Sequence, residues 1–207
     1  MSAFRARIEA VLDPLSSAGA DIGQSDYDLN PQDRPGEVTL RPAAVLVPIV
    51  EHPDGAAMLL TRRAETLRQH TGQIAFPGGR CDPGETIVET ALREAEEEVG
   101  LDRRFVEVAG LLTPYETVTG YAVTPVVGFV TPGFSLTLNP EEVAEAFEAP
   151  FDFLMDTANH LRHHLEPPGG GGRRYYYAMP YEDYYIWGAT AGMLRGFSDR
   201  LERAKVA

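Results

Sequence analysis

One cysteine, Cys81, stands among 207 residues, so no disulfide can form within the chain. That scarcity favours a reducing compartment and a cytoplasmic location. No run of 18 apolar residues is present, so no segment is expected to span a membrane. The opening MSAFRARIEAVLDPL is not a signal peptide, because Arg and Glu interrupt every apolar stretch. It reads instead as a short amphipathic helix with Phe4, Ile8, Val11 and Leu12 on one side. Basic residues are also few, 18 against 31 acidic ones. The shortfall argues against a nucleic-acid partner, which needs a basic footprint. It leaves an anionic small molecule open, since local charge and bound cations decide that.

What is present reads as a single domain over residues 1–207, with residues 1–40 forming the N-terminal helix and an irregular, turn-rich arm. Ala43–Val50 and Ala56–Leu60 read as buried strands around a turn at Pro53-Asp54-Gly55. Phe105–Thr113 and Thr124–Val130 are further strands. Glu141–Phe147 reads as a short helical turn after Asn139-Pro140, and Phe151–Leu165 as a helix. Pro167-Pro168 and Gly169–Gly172 form a tip. Arg173–Ala178 and Tyr181–Trp187 suit a late hairpin, and Gly188–Arg203 has helical spacing. Strands interleaved with helices predict an α/β fold, a mixed β-sheet between helical layers.

The segment Gly79–Leu101, GRCDPGETIVETALREAEEEVGL, is the most informative. Pro83-Gly84 closes a loop, and Thr86 with Glu89 has capping-box spacing, predicting a helix that Gly100 ends. Val88, Ala91, Leu92, Ala95 and Val99 share its core face. Glu94, Glu97 and Glu98 fall within an arc of about 100° on another face, at about 100° per residue. They crowd the C-terminal half, where the macrodipole disfavours each anion by about 0.3–1 kcal/mol. Glu94 and Glu98 add an i,i+4 repulsion. A cluster kept at this cost predicts cations held against it. Glu89 and Glu96 point elsewhere and read as solvated.

The same segment resembles the Nudix box, G-x5-E-x7-R-E-U-x-E-E-x-G-U with U aliphatic. Gly79, Glu85, Arg93, Glu94, Glu97, Glu98, Gly100 and Leu101 match, and Ala95 at the first U position is smaller than usual. A merely solvated acidic helix would not require Gly79, Glu85 and Arg93 at fixed offsets. The resemblance implies a Nudix-type α/β/α sandwich and hydrolysis of a diphosphate with Mg²⁺ or Mn²⁺. It implies metal binding by Glu94, Glu97, Glu98 and the backbone carbonyl of Gly78. Arg93 and Glu85 would form a salt bridge that fixes Glu94 and closes the loop onto the helix. Glu94 is a candidate base. Acidic residues outside the box fill that role in several Nudix groups, which makes Glu142 and Glu145 candidates and Glu116 a weaker one.

Immediately upstream, LLTRRAETLRQHTGQIAFPGG (Leu59–Gly79) resembles the pattern that marks coenzyme A diphosphatases within that superfamily. Leu59-Leu60-Thr61, Ala64, Arg68, Gly72 and Phe76-Pro77-Gly78-Gly79 carry the likeness. Glu116–Tyr121, Asn139–Val143 and Ile186-Trp187-Gly188 look similar to that subfamily too. The substrate implied is coenzyme A or an acylated or oxidised form. Arg62, Arg63 and Arg68 supply guanidiniums suited to bidentate phosphate contact, with His70 and Gln73 as further polar candidates. Ordinary surface salt-bridging is the alternative for each. Tyr175-Tyr176-Tyr177 suits either a pocket wall or packing. Two other readings stay open: the same chemistry on ADP-ribose, NADH or a nucleoside triphosphate, and a non-catalytic ligand-binding module. The resemblance also admits a homodimer.

Overall fold

The computed structural model describes residues 2–18, 21–36, 38–64, 72–166 and 172–206. Arg68 and His70, and most of the Pro-Gly tip, lie outside the described residues. The chain opens with α1 (Ala3–Glu9) and β1 (Gln24–Ser25), then β2 (Arg41–His52), β3 (Gly55–Arg63), β4 (Ile74–Ala75), β5 (Gly78–Arg80) and α2 (Ile87–Val99). β6 (Val106–Leu111), β7 (Tyr115–Glu116), β8 (Tyr121–Val130), β9 (Val143–Pro150) and α3 (Phe151–Met155) follow. β10 (Leu161–Leu165), β11 (Arg174–Tyr181), β12 (Tyr184–Trp187) and α4 (Ala189–Val206) complete it.

A mixed sheet runs β1-β7-β8-β2-β3-β4, with β5 added to β2, β6 to β8 and β9 to β3. β2 and β8 are parallel from Arg41↔Tyr121 to Val50↔Val130, while β2 and β3 are antiparallel. The run AAVLVPIV is apolar throughout because both faces of β2 are covered. Val47 and Ile49 join a core with Phe151, Leu154, Leu194 and Phe197 of α3 and α4, and with Ile8 of α1. Ala44, Leu46 and Val50 meet Ala91, Ala95 and Val99 of α2 on the other face. This is the expected α/β/α sandwich. β10, β11 and β12 form a second, three-stranded antiparallel sheet.

Three local expectations are corrected. A turn does form at Asn139, whose carbonyl accepts from the amides of Glu142 and Val143. The residues that follow are strand β9, paired with β3 from Ala57↔Pro150 to Arg63↔Val143. The Ala/Glu-rich composition favours a helix, but the open edge of β3 supplies a ladder that outweighs propensity. The helix expected over Phe151–Leu165 stops at Met155. Asp156 caps the Ala158 amide, Asn159 donates its side-chain amide to the Phe153 carbonyl, and 161–165 pair with β11. The arm is not wholly irregular: Gln24 and Ser25 pair in parallel with Tyr115 and Glu116.

Candidate functional site

Helix α2 carries the carboxylates, and its ends are built as the spacing predicts. The Thr86–Glu89 capping box is complete, and Gly100 adopts φ 68° at the C-cap. Glu96 lies at the surface, partly exposed, and pairs there with Arg103. Above α2 passes the Gly78-Gly79 strand β5, paired with β2 at Val45 and Ala44. A side chain on Gly79 would collide with the Glu94 carboxylate, and one on Gly78 with the Ala44 carbonyl and Val45. Glycine is therefore required for the backbone to lie against the carboxylates.

The three carboxylates have different surroundings. Glu98 is 3% exposed and accepts the Gly78 amide at 3.2 Å. Burial pushes its carboxyl up to about 7, with the charges of Glu94 and Glu142 adding to the rise. Glu94 is half-buried and also raised, again chiefly by burial. Glu97 is exposed. Arg93 is the hub: Nε lies 2.7 Å from Glu85 Oε1, Nη2 donates to Glu85 Oε2 at 3.0 Å, and Nη1 reaches Glu94 at 2.9 Å and Glu97 at 2.8 Å. Hydrogen bonds from Arg93 hold Glu85 down to about 2, and the pairing raises the guanidinium above its ordinary value. Nη2 also donates to the Arg80 carbonyl, closing the loop onto the helix.

Among the described residues no three His, Cys, Asp or Glu side chains converge as a ready set of metal ligands. Arg93 Nη1 instead spans Glu94 and Glu97 as their cation. The donors nevertheless fit a hard divalent ion: three carboxylates and a glycine carbonyl, all oxygen, beside a backbone with no side chain in the way. Glu97 is mostly exposed, so its contact is the weakest hold on Arg93.

The candidates outside the helix divide between the faces of the sheet. Arg63 Nη1 lies 3.9 Å from Glu98 Oε1, too long for a hydrogen bond, and its buried Nε–H has no partner among the described residues. Glu142 stands close enough for its charge to act on both Glu94 and Glu98. Arg62 and Glu145 are not part of this group. They pair with each other at 2.9 Å, and Tyr184 donates its hydroxyl to Glu145 at 2.7 Å. Glu116 is buried beside Arg34. Gln73 anchors the return of the β3–β4 connection, its carbonyl accepting the Arg63 amide at 3.0 Å. Tyr177 packs on the core, Tyr176 meets Trp187 edge-on at 5.2 Å, and Tyr175 lies beneath Arg162. Sequence reasoning did not find Tyr184, because the contact to Glu145 links residues 39 apart.

An α/β/α sandwich that brings a Gly-Gly backbone against a helical carboxylate cluster offers a set of oxygen donors suited to a hard cation. A family model described as the NUDIX domain matches residues 40–165, more than half of the chain. The chain is 44% identical to the "Uncharacterized Nudix hydrolase NudL" of Photorhabdus laumondii over 163 residues, 78% of this chain and 86% of that protein. It is 42% identical to the protein of the same description from Escherichia coli O7:K1, over 81% of this chain and 86% of that one. Among solved structures, the MutT protein of Methanosarcina mazei Go1 superposes with a TM-score of 0.52 at 20% identity, covering 83% of this chain and 99% of that one, a likeness of fold. The chain belongs to the Nudix family. It is a pyrophosphohydrolase acting on a nucleoside diphosphate derivative, in a family that generally uses divalent metal ions. No helix among the described residues is long and apolar enough to cross a membrane.

Proposed function

We propose that this hydrolase cleaves the diphosphate of coenzyme A or a derivative, releasing 4′-phosphopantetheine, or its acyl form, and adenosine 3′,5′-bisphosphate. The observation that carries this reading is where the two described ends of the Leu59–Gly79 segment lie, because that segment is similar to the coenzyme A diphosphatase pattern. At one end Arg63 of β3 stands near the buried Glu98, and at the other Gly78-Gly79 lies against Glu98 and Glu94.

Glu94, Glu97, Glu98 and the Gly78 carbonyl would hold Mg²⁺ or Mn²⁺, and the ion would supply positive charge to the diphosphate and acidify a water. Arg93 orients Glu94 and Glu97, and Glu85 holds Arg93 in place through two hydrogen bonds. Arg63 has a buried Nε–H with no partner among the described residues, a donor an anionic acceptor could take. Glu142 or Glu94 takes the proton from the attacking water. Glu142 is preferred to Glu145 for this, because Glu145 is engaged by Arg62 and Tyr184. Residues 1–207 act as one domain in the cytoplasm on a small nucleotide, with no nucleic-acid or membrane partner, and a homodimer is compatible with this arrangement.

Product analysis after incubation with coenzyme A and Mg²⁺ or Mn²⁺ tests the proposal. Appearance of both phosphorylated halves is expected. A kcat/KM for ADP-ribose about ten-fold above that for coenzyme A would transfer the assignment to that substrate.

A further inference from the structure

On the opposite face of β3 from the carboxylates lies a cavity of about 470 Å³, lined by Arg62, Glu145, Asp183, Tyr184, Tyr185 and Trp187 among others. Its walls come from the ends of β3 and β9 and from the β12 hairpin, so two separate sheets meet over it. The walls are already ordered. Tyr184 stacks flat on Phe147 with ring centroids 3.6 Å apart, and its hydroxyl donates to Glu145. The other oxygen of Glu145 receives Arg62, and Trp187 is braced edge-on by Tyr176.

The charge of the lining selects among ligands. Among the described lining residues Arg62 is the one cation and is neutralised by Glu145, which leaves Asp183 as surplus negative charge. A phosphate would meet net repulsion from these side chains. Three aromatic residues invite a flat ring, because an aromatic face stacks on any base. Two carboxylates, acceptors only when ionised, call for N–H donors on the edge of that ring. A planar ring with an exocyclic amine and no charge meets all three conditions. We propose that this cavity binds an aminopurine ring, with Trp187 and Tyr185 offering stacking surface and Glu145 and Asp183 accepting from the amine edge. The proposal draws on the nucleoside half of the reading above and is independent of what lies beyond the diphosphate. The ring can arrive on the substrate itself or on a free nucleotide.

Trp187 is the single tryptophan of the chain, so its emission reports directly on the cavity. The full-length protein is titrated with AMP, IMP, ribose 5-phosphate and pantetheine while tryptophan alone is excited. Saturable quenching by AMP is expected, at least about ten-fold tighter than by IMP, whose ring carries a carbonyl in place of the amine. Ribose 5-phosphate should leave emission unchanged. The double variant Glu145→Gln/Asp183→Asn should bring AMP and IMP to similar affinity. Inhibition of coenzyme A hydrolysis by AMP then separates the two sources: competitive inhibition assigns the ring to the substrate, non-competitive inhibition to a free nucleotide. Equal quenching by AMP and IMP, quenching by ribose 5-phosphate or by pantetheine alone, or no quenching at all would overturn the proposal. Failure of coenzyme A turnover with AMP quenching intact would strike only the substrate reading above.

Discussion

Arg62 and Arg63 are neighbours in sequence and leave β3 on opposite faces of the sheet. Arg62 pairs with Glu145 at 2.9 Å beneath Tyr184, while Arg63 points to the buried Glu98 at 3.9 Å. Strand geometry dictates the split: Met58 and Leu60 join the core with α3 and α4, and Leu59 the core with α2. The two arginines therefore have separable roles. Arg63→Ala should lower kcat/KM by at least about ten-fold, roughly 1.4 kcal/mol of transition-state stabilisation. Arg62→Ala should leave kcat within about three-fold of wild type and alter AMP quenching of Trp187 instead. Steady-state kinetics on both variants decide it, and equal losses of kcat would contradict the division.

Glu142 and Glu145 are separated in the same way. Of the two, Glu142 is the one whose charge acts on Glu94 and Glu98. Glu142→Gln should reduce kcat by about 10²-fold or more, as expected when a general base is lost. Glu145→Gln keeps an acceptor for Tyr184 and should preserve kcat. A large kcat loss in Glu145→Gln with Glu142→Gln near wild type would reverse the assignment of the base.

The charge on Glu98 opposes folding in the metal-free protein. Its folded value of about 7 stands above the ordinary 4.5, so the folded state holds the proton more tightly than the unfolded chain. Below pH 4.5 the group is neutral in both states and has no effect. As pH rises through the interval toward 7 the folded state must give up its preferred proton, and stability falls. The full penalty, on the order of 3 kcal/mol, applies above that interval. Glu98→Gln, which can still accept the Gly78 amide, should raise Tm at pH 8 in EDTA, and the gain should vanish below pH 4.5. Turnover should be lost in the same variant. Thermal melts across pH that show no gain at pH 8 would remove the electrostatic account of this residue.

Glu85 carries the opposite sign. Arg93 holds its carboxyl at about 2 against an ordinary 4.5. Its contribution to stability is complete above pH 4.5 and is lost as pH falls toward 2. Glu85→Gln should melt below wild type at neutral pH and converge with it in acid. Arg93→Lys, which cannot reproduce the fork onto Glu85 together with the reach to Glu94 and Glu97, should lose activity by a similar factor to Glu85→Gln. A fully active Arg93→Lys enzyme would show that a point charge suffices there.

Much of this was legible in the sequence because it is written in short-range patterns. The Thr86–Glu89 box, the Gly100 stop, the apolar face of α2 and the runs that became β2 and β3 each depend on spacing within one element. The cluster of Glu94, Glu97 and Glu98 followed from helical periodicity alone. What stayed hidden depends on partners far along the chain. Val143–Pro150 is a strand because β3 offers an open edge, and nothing in its own composition says so. The parity that splits Arg62 from Arg63 was available, since Leu59 and Leu60 precede them in alternation, but it becomes informative only once both faces of the sheet are known to be covered.

The arm shows how a single polar residue can do the work of a strand. β12 pairs with β11 from Ala178 to Tyr181, so among the described residues no strand flanks the backbone of Tyr175 on that side. Asn30, 0% exposed, fills the place: its side-chain amide donates to the Tyr175 carbonyl at 2.8 Å, and its side-chain oxygen accepts the Tyr175 amide at 2.7 Å. The arm is anchored to the main sheet a few residues earlier, where Asp26 receives the Tyr115 hydroxyl and the Val118 amide. Asn30 thus ties the small sheet to the large one. Asn30→Ala leaves both Tyr175 groups unpaired and should cost about 1–3 kcal/mol of stability. Asn30→Asp would set a buried carboxylate oxygen against the Tyr175 and Asp26 carbonyls, which are acceptors like itself, so it should cost at least as much as Asn30→Ala. Because Asn30 touches none of the carboxylates of α2, hydrolysis by the folded fraction of either variant should match wild type at low temperature. Denaturant melts combined with kinetics test this, and a variant with unchanged stability would show that water replaces the amide at no cost.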